Sequence, residues 1–198
     1  MDNHLQELIE RIKKLEEELS REIQKKEEEF FYKIRGRRIY FEAEAKRRHR
    51  QLAQTLRRYL HETAFLTLLT APVIWSCLLP ALFMDLAATI YQTICFPVYG
   101  IPRVKRREHV VIDRHALRYL NPIEKLNCIY CGYVNGLLSY IQEIAARTEQ
   151  YWCPIKHARK IARLHSRYHK FFEYGDAESY RRELERIRRD FKDLPWTG

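Results

Sequence analysis

Three thiols and an imidazole stand where they could share one metal ion. Cys128 and Cys131 lie in Cys-Ile-Tyr-Cys-Gly-Tyr, and Cys153 and His157 in Tyr-Trp-Cys-Pro-Ile-Lys-His. Zinc takes four soft or borderline ligands in a tetrahedron, and thiolate sulfur with imidazole nitrogen supplies them. The two-residue gap lets one tight turn aim both sulfurs at a single ion. Gly132 suits that turn, since glycine tolerates a positive φ and leaves the next amides free to face sulfur. Four protein ligands leave no open coordination position, so the expected centre is structural rather than catalytic. Iron in the same set would instead carry an electron. The plainer alternative is a group of reduced core cysteines beside a surface histidine. His165 and His169 also share a helix side, four residues apart. Neither has a cysteine or carboxylate companion, which points to packing or surface roles.

The elements that must hold this set read as helices. Asn121-Pro122 is an N-cap followed by proline at the first helical position, and the short helix to Asn127 would deliver the first pair. Asn135-Gly136 gives a turn or a helix entrance. Leu137, Leu138, Ile141, Ile144 and Ala145 then mark an amphipathic helix to Gln150. Pro154 starts the next helix, through Ile161, Leu164, Tyr168 and Phe172, so that Cys153 sits at an N-terminus whose dipole favours thiolate. Tyr174-Gly175 ends it. Asp176 caps a last helix carrying Tyr180, Leu184, Ile187 and Phe191, which packs antiparallel on the one before.

Upstream, Leu5, Leu8, Ile12, Leu15 and Leu19 form a heptad seam, which shifts at Ile23 and resumes through Phe30 and Ile34. Such a seam pairs with a second copy, with a partner protein, or with the chain's own later helices. Residues 35–62 keep a helical pattern but turn basic, as a helix lying on an anionic membrane surface does. From Ala64 to Pro102 the only formally charged side chain is Asp85. Pro72, Pro80, Pro97 and Pro102 interrupt this apolar run. Basic residues flank it on both sides, Arg57-Arg58 before and Arg103, Lys105, Arg106 and Arg107 after. Positive flanks favour the cytoplasmic face, so the run is expected to enter and leave on that side as a hairpin, roughly 64–78 and 81–98, turning near Leu79-Pro80. A buried soluble hairpin is the alternative. Asp85 would sit near the bend, within reach of headgroups or water.

The chain has 36 Lys and Arg against 26 Asp and Glu, a net charge of +10 that favours anionic partners. Its five cysteines do not form a secreted disulfide framework. The first 63 residues are charged and helical rather than signal-like, and the bulk is expected to face the cytoplasm. Membrane lipid and a protein partner or second copy, met through residues 1–63, are the expected partners. Nucleic acid ranks behind them, because the aromatic residues form no stacking platform and no binding motif appears. There is no phosphate-cradling glycine loop, nucleophile elbow or recognisable carboxylate pair, so nothing here supports an enzyme.

The segment from His115 to Ala158, centred on CIYCGY and YWCPIKHA, resembles a family of uncharacterised bacterial proteins that carry this core behind an apolar segment. The resemblance implies a bacterial, membrane-associated protein and brings no mechanism; with the basic flanks, the expected location is the bacterial inner membrane with both termini cytoplasmic. The CIYCGY stretch is also similar to the CxxCGY and CPxCG turns of rubredoxins and zinc ribbons. Cys128, Cys131 and Gly132 match the first turn, and Cys153-Pro154 begins like the second. The fourth cysteine is absent and His157 falls one residue further along, which implies zinc more naturally than a rubredoxin-type iron centre.

The sequence therefore describes an all-α protein. Residues 1–63 are a long amphipathic, coiled-coil-like arm, 64–102 an apolar membrane hairpin or re-entrant segment, and 103–198 a small metal-stapled cytoplasmic helical domain. The expected function is a membrane-anchored zinc protein acting as scaffold, adaptor or regulatory subunit. The alternative is a rubredoxin-like iron electron-transfer protein at the membrane.

Overall fold

The computed structural model describes residues 3–30, 32–35, 38–62 and 65–194, and these are predominantly helical. They fall into two units, Met1–Glu62 with Asp113–Leu126, and Thr63–Ile112 with Asn127–Gly198.

In the first unit, α1 (Asn3–Glu29) follows from the heptad pattern. Its seam residues Ile12, Leu15, Leu19 and Ile23 are all at least half exposed, so the seam has no partner among the described residues at those positions. Leu5 and Leu8 lie outside the described side chains. The basic helix expected over 35–62 does not begin there. Instead β1 (Tyr32–Arg35) and β2 (Arg38–Phe41) pair antiparallel, Tyr32 opposite Phe41 and Arg35 opposite Arg38. Tyr-Lys-Ile-Arg and Arg-Ile-Tyr-Phe alternate aromatic or β-branched residues with basic ones, which is strand chemistry, and Gly36 between them in sequence is a hairpin signal. Helix resumes as α2 (Ala43–Gln51) and α3 (Leu56–Glu62). The Thr55 hydroxyl accepts from the Arg58 amide at 3.4 Å and so caps α3.

In the second unit, α4 (Phe65–Ser76) and α5 (Leu78–Tyr99) are separated only by Cys77. The turn expected near Leu79-Pro80 is not formed, and helix runs through both residues. Pro80 lies in the first turn of α5, where its missing N–H costs nothing, and the break falls just ahead of it. Pro97 would orphan the Thr93 carbonyl four residues back, and the Arg103 guanidinium donates to that oxygen at 3.3 Å. Gly100, at φ 68°, then ends α5, with the Ile101 amide bonded to the Phe96 carbonyl at 2.9 Å. This is the left-handed cap that glycine permits. The chain turns back along α5, forms the single turn α6 (Arg106–His109), and later enters α7 (Pro122–Trp152). The expected start of α7 holds. Asn121 Oδ1 accepts from the Glu124 amide at 3.0 Å, and Glu124 accepts from the Asn121 amide at 2.8 Å, a reciprocal capping box.

What differs is that α7 is one helix, not two joined by turns. Gly132 and Gly136 are both helical and buried. A Cβ on Gly136 would lie 2.7 Å from both the His109 carbonyl oxygen and the Val110 Cα, so this glycine admits a crossing backbone. The helix expected from Pro154 to Phe172 is also absent. Ile155 bridges Phe172 in parallel, with Phe172 N–H to Pro154 C=O and Lys156 N–H to Phe172 C=O both at 2.8 Å. Arg167, almost wholly buried, holds this excursion. It donates to Gln150 Oε1 at 2.6 Å, to the Asp190 carbonyl at 2.9 Å and to Asp193. The last helix is α8 (Ala177–Arg188), with Asp176 accepting from the Ser179 amide at 3.0 Å as its sequence foretells.

Phe96, Ile101, Val104, Leu137, Tyr140, Ile144 and Phe191 form the core of the second unit, between α5, the returning strand of chain and α7. Replacing Gly136→Ala pushes a methyl into backbone that cannot step aside. We expect it to lower stability by about 1–3 kcal/mol, as overpacking does, despite alanine's better helix propensity. Thermal or urea unfolding of the two proteins measures this, and an unchanged or raised midpoint would refute the close approach.

Candidate functional site

The four expected metal ligands do not meet in this structure. Cys128 and Cys131 lie within α7, three residues apart, the first half-buried and the second exposed. Cys153 is exposed and follows the last residue of the same helix. At 1.5 Å rise per residue, Cys131 and Cys153 are about 33 Å apart along one rod. Cys153 therefore sits at a helix C-terminus rather than an N-terminus, without the favourable dipole expected for it. His157 donates its amide to the Tyr168 hydroxyl at 2.9 Å and stacks its ring on Tyr168 at 6.4 Å between centroids. Among the described residues, no group of three or more His, Cys, Asp or Glu side chains is placed to hold a metal ion. His165 does have a carboxylate companion, unseen in the sequence, with Nε2 3.1 Å from Glu149 Oε2. Its ring packs on Tyr168 and Phe171. His169 is exposed.

What the structure does assemble is an apolar rod with a polar cluster beside it. Phe65–Tyr99 is long and apolar enough to cross a membrane, at a mean hydropathy of 1.9, and none of its most apolar window is buried by protein. Phe65, Leu66, Leu69, Val73, Leu79 and Phe83 all stand exposed. Two of the hydroxyls in α4 are turned inward on the backbone. Thr70 Oγ1 donates to the Thr67 carbonyl at 3.0 Å and Ser76 Oγ to the Val73 carbonyl at 2.7 Å, as hydroxyls do in apolar surroundings. Near the break at Cys77, the Tyr130 hydroxyl donates to the Ile74 carbonyl at 2.9 Å, and Trp75 packs on the Tyr130 ring at 4.9 Å.

Asp85, expected near a bend, is instead the centre of a satisfied cluster. Arg106 donates to it bidentately, Nε to Oδ1 at 3.2 Å and a terminal nitrogen to Oδ2 at 2.7 Å. The Tyr133 hydroxyl donates to Oδ2 at 2.9 Å. The Arg106 guanidinium also lies 5.8 Å from the centroid of the Tyr133 ring. Burial, reinforced by the hydrogen bond to the Asp85 carboxylate, pushes the Tyr133 phenol above its ordinary range. The same carboxylate holds Arg106 charged. This grouping unites α5, α6 and α7, so no local spacing announces it.

Gln92, buried in α5, pins the returning chain. Its Oε1 accepts from the Val104 amide at 3.0 Å, its Nε2 donates to the Val104 carbonyl at 3.4 Å, and it also bonds the Tyr140 hydroxyl. Arg147 on α7 adds a 2.7 Å bond to the Pro102 carbonyl and pairs with Glu143 at 2.8 Å. Sequence reading passed over both residues, because a glutamine in an apolar run and an arginine in an amphipathic helix carry no signal of their own.

Comparison with protein-family models, with curated proteins and with solved structures finds no match. Nothing in those comparisons bears on the resemblance carried by CIYCGY and YWCPIKHA.

With α7 continuous, Cys153→Ser is an exposed substitution away from any network. We expect it to shift stability by no more than about 0.5 kcal/mol, and chelation to leave helicity unchanged. Circular dichroism with and without chelator, beside metal analysis of both proteins, checks this. Stoichiometric zinc or iron that is lost with Cys153→Ser would require α7 to be interrupted between Cys131 and Cys153.

Proposed function

We propose that this protein is a membrane-anchored scaffold or adaptor, held to one face of a bilayer by the apolar rod Phe65–Tyr99. The observation that carries the reading is the make-up of the first unit. It is built from residues 1–62, before the apolar run, and residues 113–126, after it. The His49 ring meets Tyr119 edge-on at 5.1 Å within that unit. A unit closed from both sides of the run keeps both flanks in one compartment, so the rod enters and leaves on the same face. The basic flanks agree, since both favour the cytoplasmic side. A rod lying along the interface meets this constraint with α4 and α5 as they stand, whereas a re-entrant hairpin requires a fold at Cys77 that is not formed. The bacterial inner membrane, with both termini cytoplasmic, is the setting that fits. Zinc or iron at Cys128, Cys131, Cys153 and His157 would need a different course of α7, so metal does not carry this reading.

Two charged residues on the bare face should release the anchor. Leu79→Arg with Phe83→Arg is expected to move the protein from the floating to the soluble fraction in vesicle flotation, with its circular dichroism spectrum kept. Single cysteines at Gln51 and Arg118, in a chain whose own cysteines are serine, should react with an impermeant maleimide from the same side. Labelling from opposite sides would rule out the one-face anchor, and flotation that survives both arginines would rule out the rod.

The exposed seam of α1 is the surface offered to a partner. Intrahelical pairs such as Glu17–Arg21 at 3.5 Å and Glu22–Lys25 support the helix. Its unburied apolar line fits a second copy of the same helix. Leu15→Lys with Leu19→Lys is expected to abolish cross-linked dimers of the full chain. A wild type that sediments only as monomer would remove the coiled-coil role.

A further inference from the structure

In the second unit, α7 runs beside the apolar rod in the same direction. Tyr130 meets Trp75, the Tyr91 hydroxyl bonds Thr148 Oγ1 at 3.1 Å, and Tyr151 stacks on Tyr99 at 4.9 Å between ring centroids. The returning chain covers one flank of this pair. It crosses α7 at Gly136 and bonds Arg147, and on α5 it is held by Gln92. With 3.6 residues per turn, two residues are about 200° of arc, so a position two away faces the other side of a helix. Leu138 and Ala145 stand two residues from Gly136 and Arg147, and Ile90 and Ile94 stand two residues from Gln92. All four are exposed. The flank away from the returning chain is therefore bare on both helices.

On α7 this bare flank is a line. Cys131, Leu138, Ala145 and Trp152 recur every seven residues and are all exposed, with Val134 and Ile141 half-buried beside them. An apolar line of this kind fits a partner helix or lipid, and its borders separate the two. A coiled-coil seam is edged by charged residues, as Arg11, Glu16 and Glu18 edge that of α1. Here the outer border is Asn135, Gln142 and Glu149, and Glu149 is turned to His165 at 3.1 Å. The line is also continuous with the rod. Trp152 meets Tyr99 edge-on at 5.4 Å, at the end of the rod, and charge resumes four residues later at Arg103. Tryptophan and tyrosine gather where hydrocarbon gives way to water.

We propose that α7 is a second lipid-contacting helix, its flank from Cys131 to Trp152 resting on the same bilayer as the rod. The inference rests on the anchor reading and adds to it which way the rod lies. The flank shared by α5 and α7 meets the acyl chains, and the returning chain, with Arg106, is turned to water.

The full chain is reconstituted in phosphatidylcholine vesicles with and without brominated acyl chains, which quench nearby indoles. One variant keeps Trp152 alone, through Trp75→Phe and Trp196→Phe. Two others have all three native tryptophans as phenylalanine, and carry either Phe83→Trp on the rod or Leu138→Trp on α7. Roughly twofold quenching is expected in each, since all three indoles would lie at or below the headgroups. Quenching of Phe83→Trp without quenching of Trp152 and Leu138→Trp would overturn this proposal and leave the anchor standing. No quenching in any variant would overturn both. Trp152 and Leu138→Trp shielded from acrylamide yet untouched by brominated lipid would show a protein partner or second copy on this flank, and would overturn it too. Should Trp75→Phe disturb the contact with Tyr130, a nitroxide on Leu138→Cys, with the native cysteines as serine, reads the same contact. Faster relaxation by oxygen than by a water-soluble nickel chelate is expected, and the reverse order would refute lipid contact.

Discussion

A single buried amide holds the second unit in its shape. Gln92 grips the Val104 peptide at both its N–H and its C=O, as a neighbouring strand would, but from a helix. Without that grip, the buried Val104 peptide would lie unpaired, although Arg147 at the Pro102 carbonyl and Arg103 at the Thr93 carbonyl also hold the chain along α5. With it, Arg106 arrives beside Asp85, and His109 and Val110 arrive where only Gly136 admits them. The order of dependence runs from one side chain to the path of the backbone, and from that path to the polar cluster.

The prolines show the same economy of donors. Each removes an N–H from a helix ladder and leaves a carbonyl to be answered elsewhere. Arg103 answers for Pro97, and Pro80 is placed where no answer is needed. Tyr130 satisfies a carbonyl beside the Cys77 break. At these points the apolar rod answers its freed carbonyls within the protein, a requirement for any segment that meets hydrocarbon, while Pro72 lies inside α4.

Local chemistry was readable in the sequence, and spatial company was not. The Asn121 N-cap, the Asp176 cap, the α1 heptads and the long apolar run with Asp85 as its single charge are all properties of neighbouring residues, and helix forms at each. The hairpin Tyr32–Phe41 was hidden because its arginines and lysines look equally at home on a basic helix. Cys131-Gly132 and Asn135-Gly136 read as turns, yet both glycines are helical, and a side chain at Gly136 would meet the backbone that passes over it. Residue spacing could suggest a ligand set, but one unbroken helix spreads Cys131 and Cys153 too far apart for a common ion. Arg167 replaced an expected helix by a network whose partners lie both before and after it.

The first unit's two-part origin sets an order of events during synthesis. Residues 1–62 leave the ribosome long before 113–126, so the unit cannot close until the apolar stretch between them has already emerged. Chains generally fold from the N-terminus as units complete, and here completion is withheld. The exposed apolar run therefore has the whole interval in which to find lipid, while the hairpin and α2 wait for Tyr119. If the run is the anchor proposed above, lipid meets it before the unit closes.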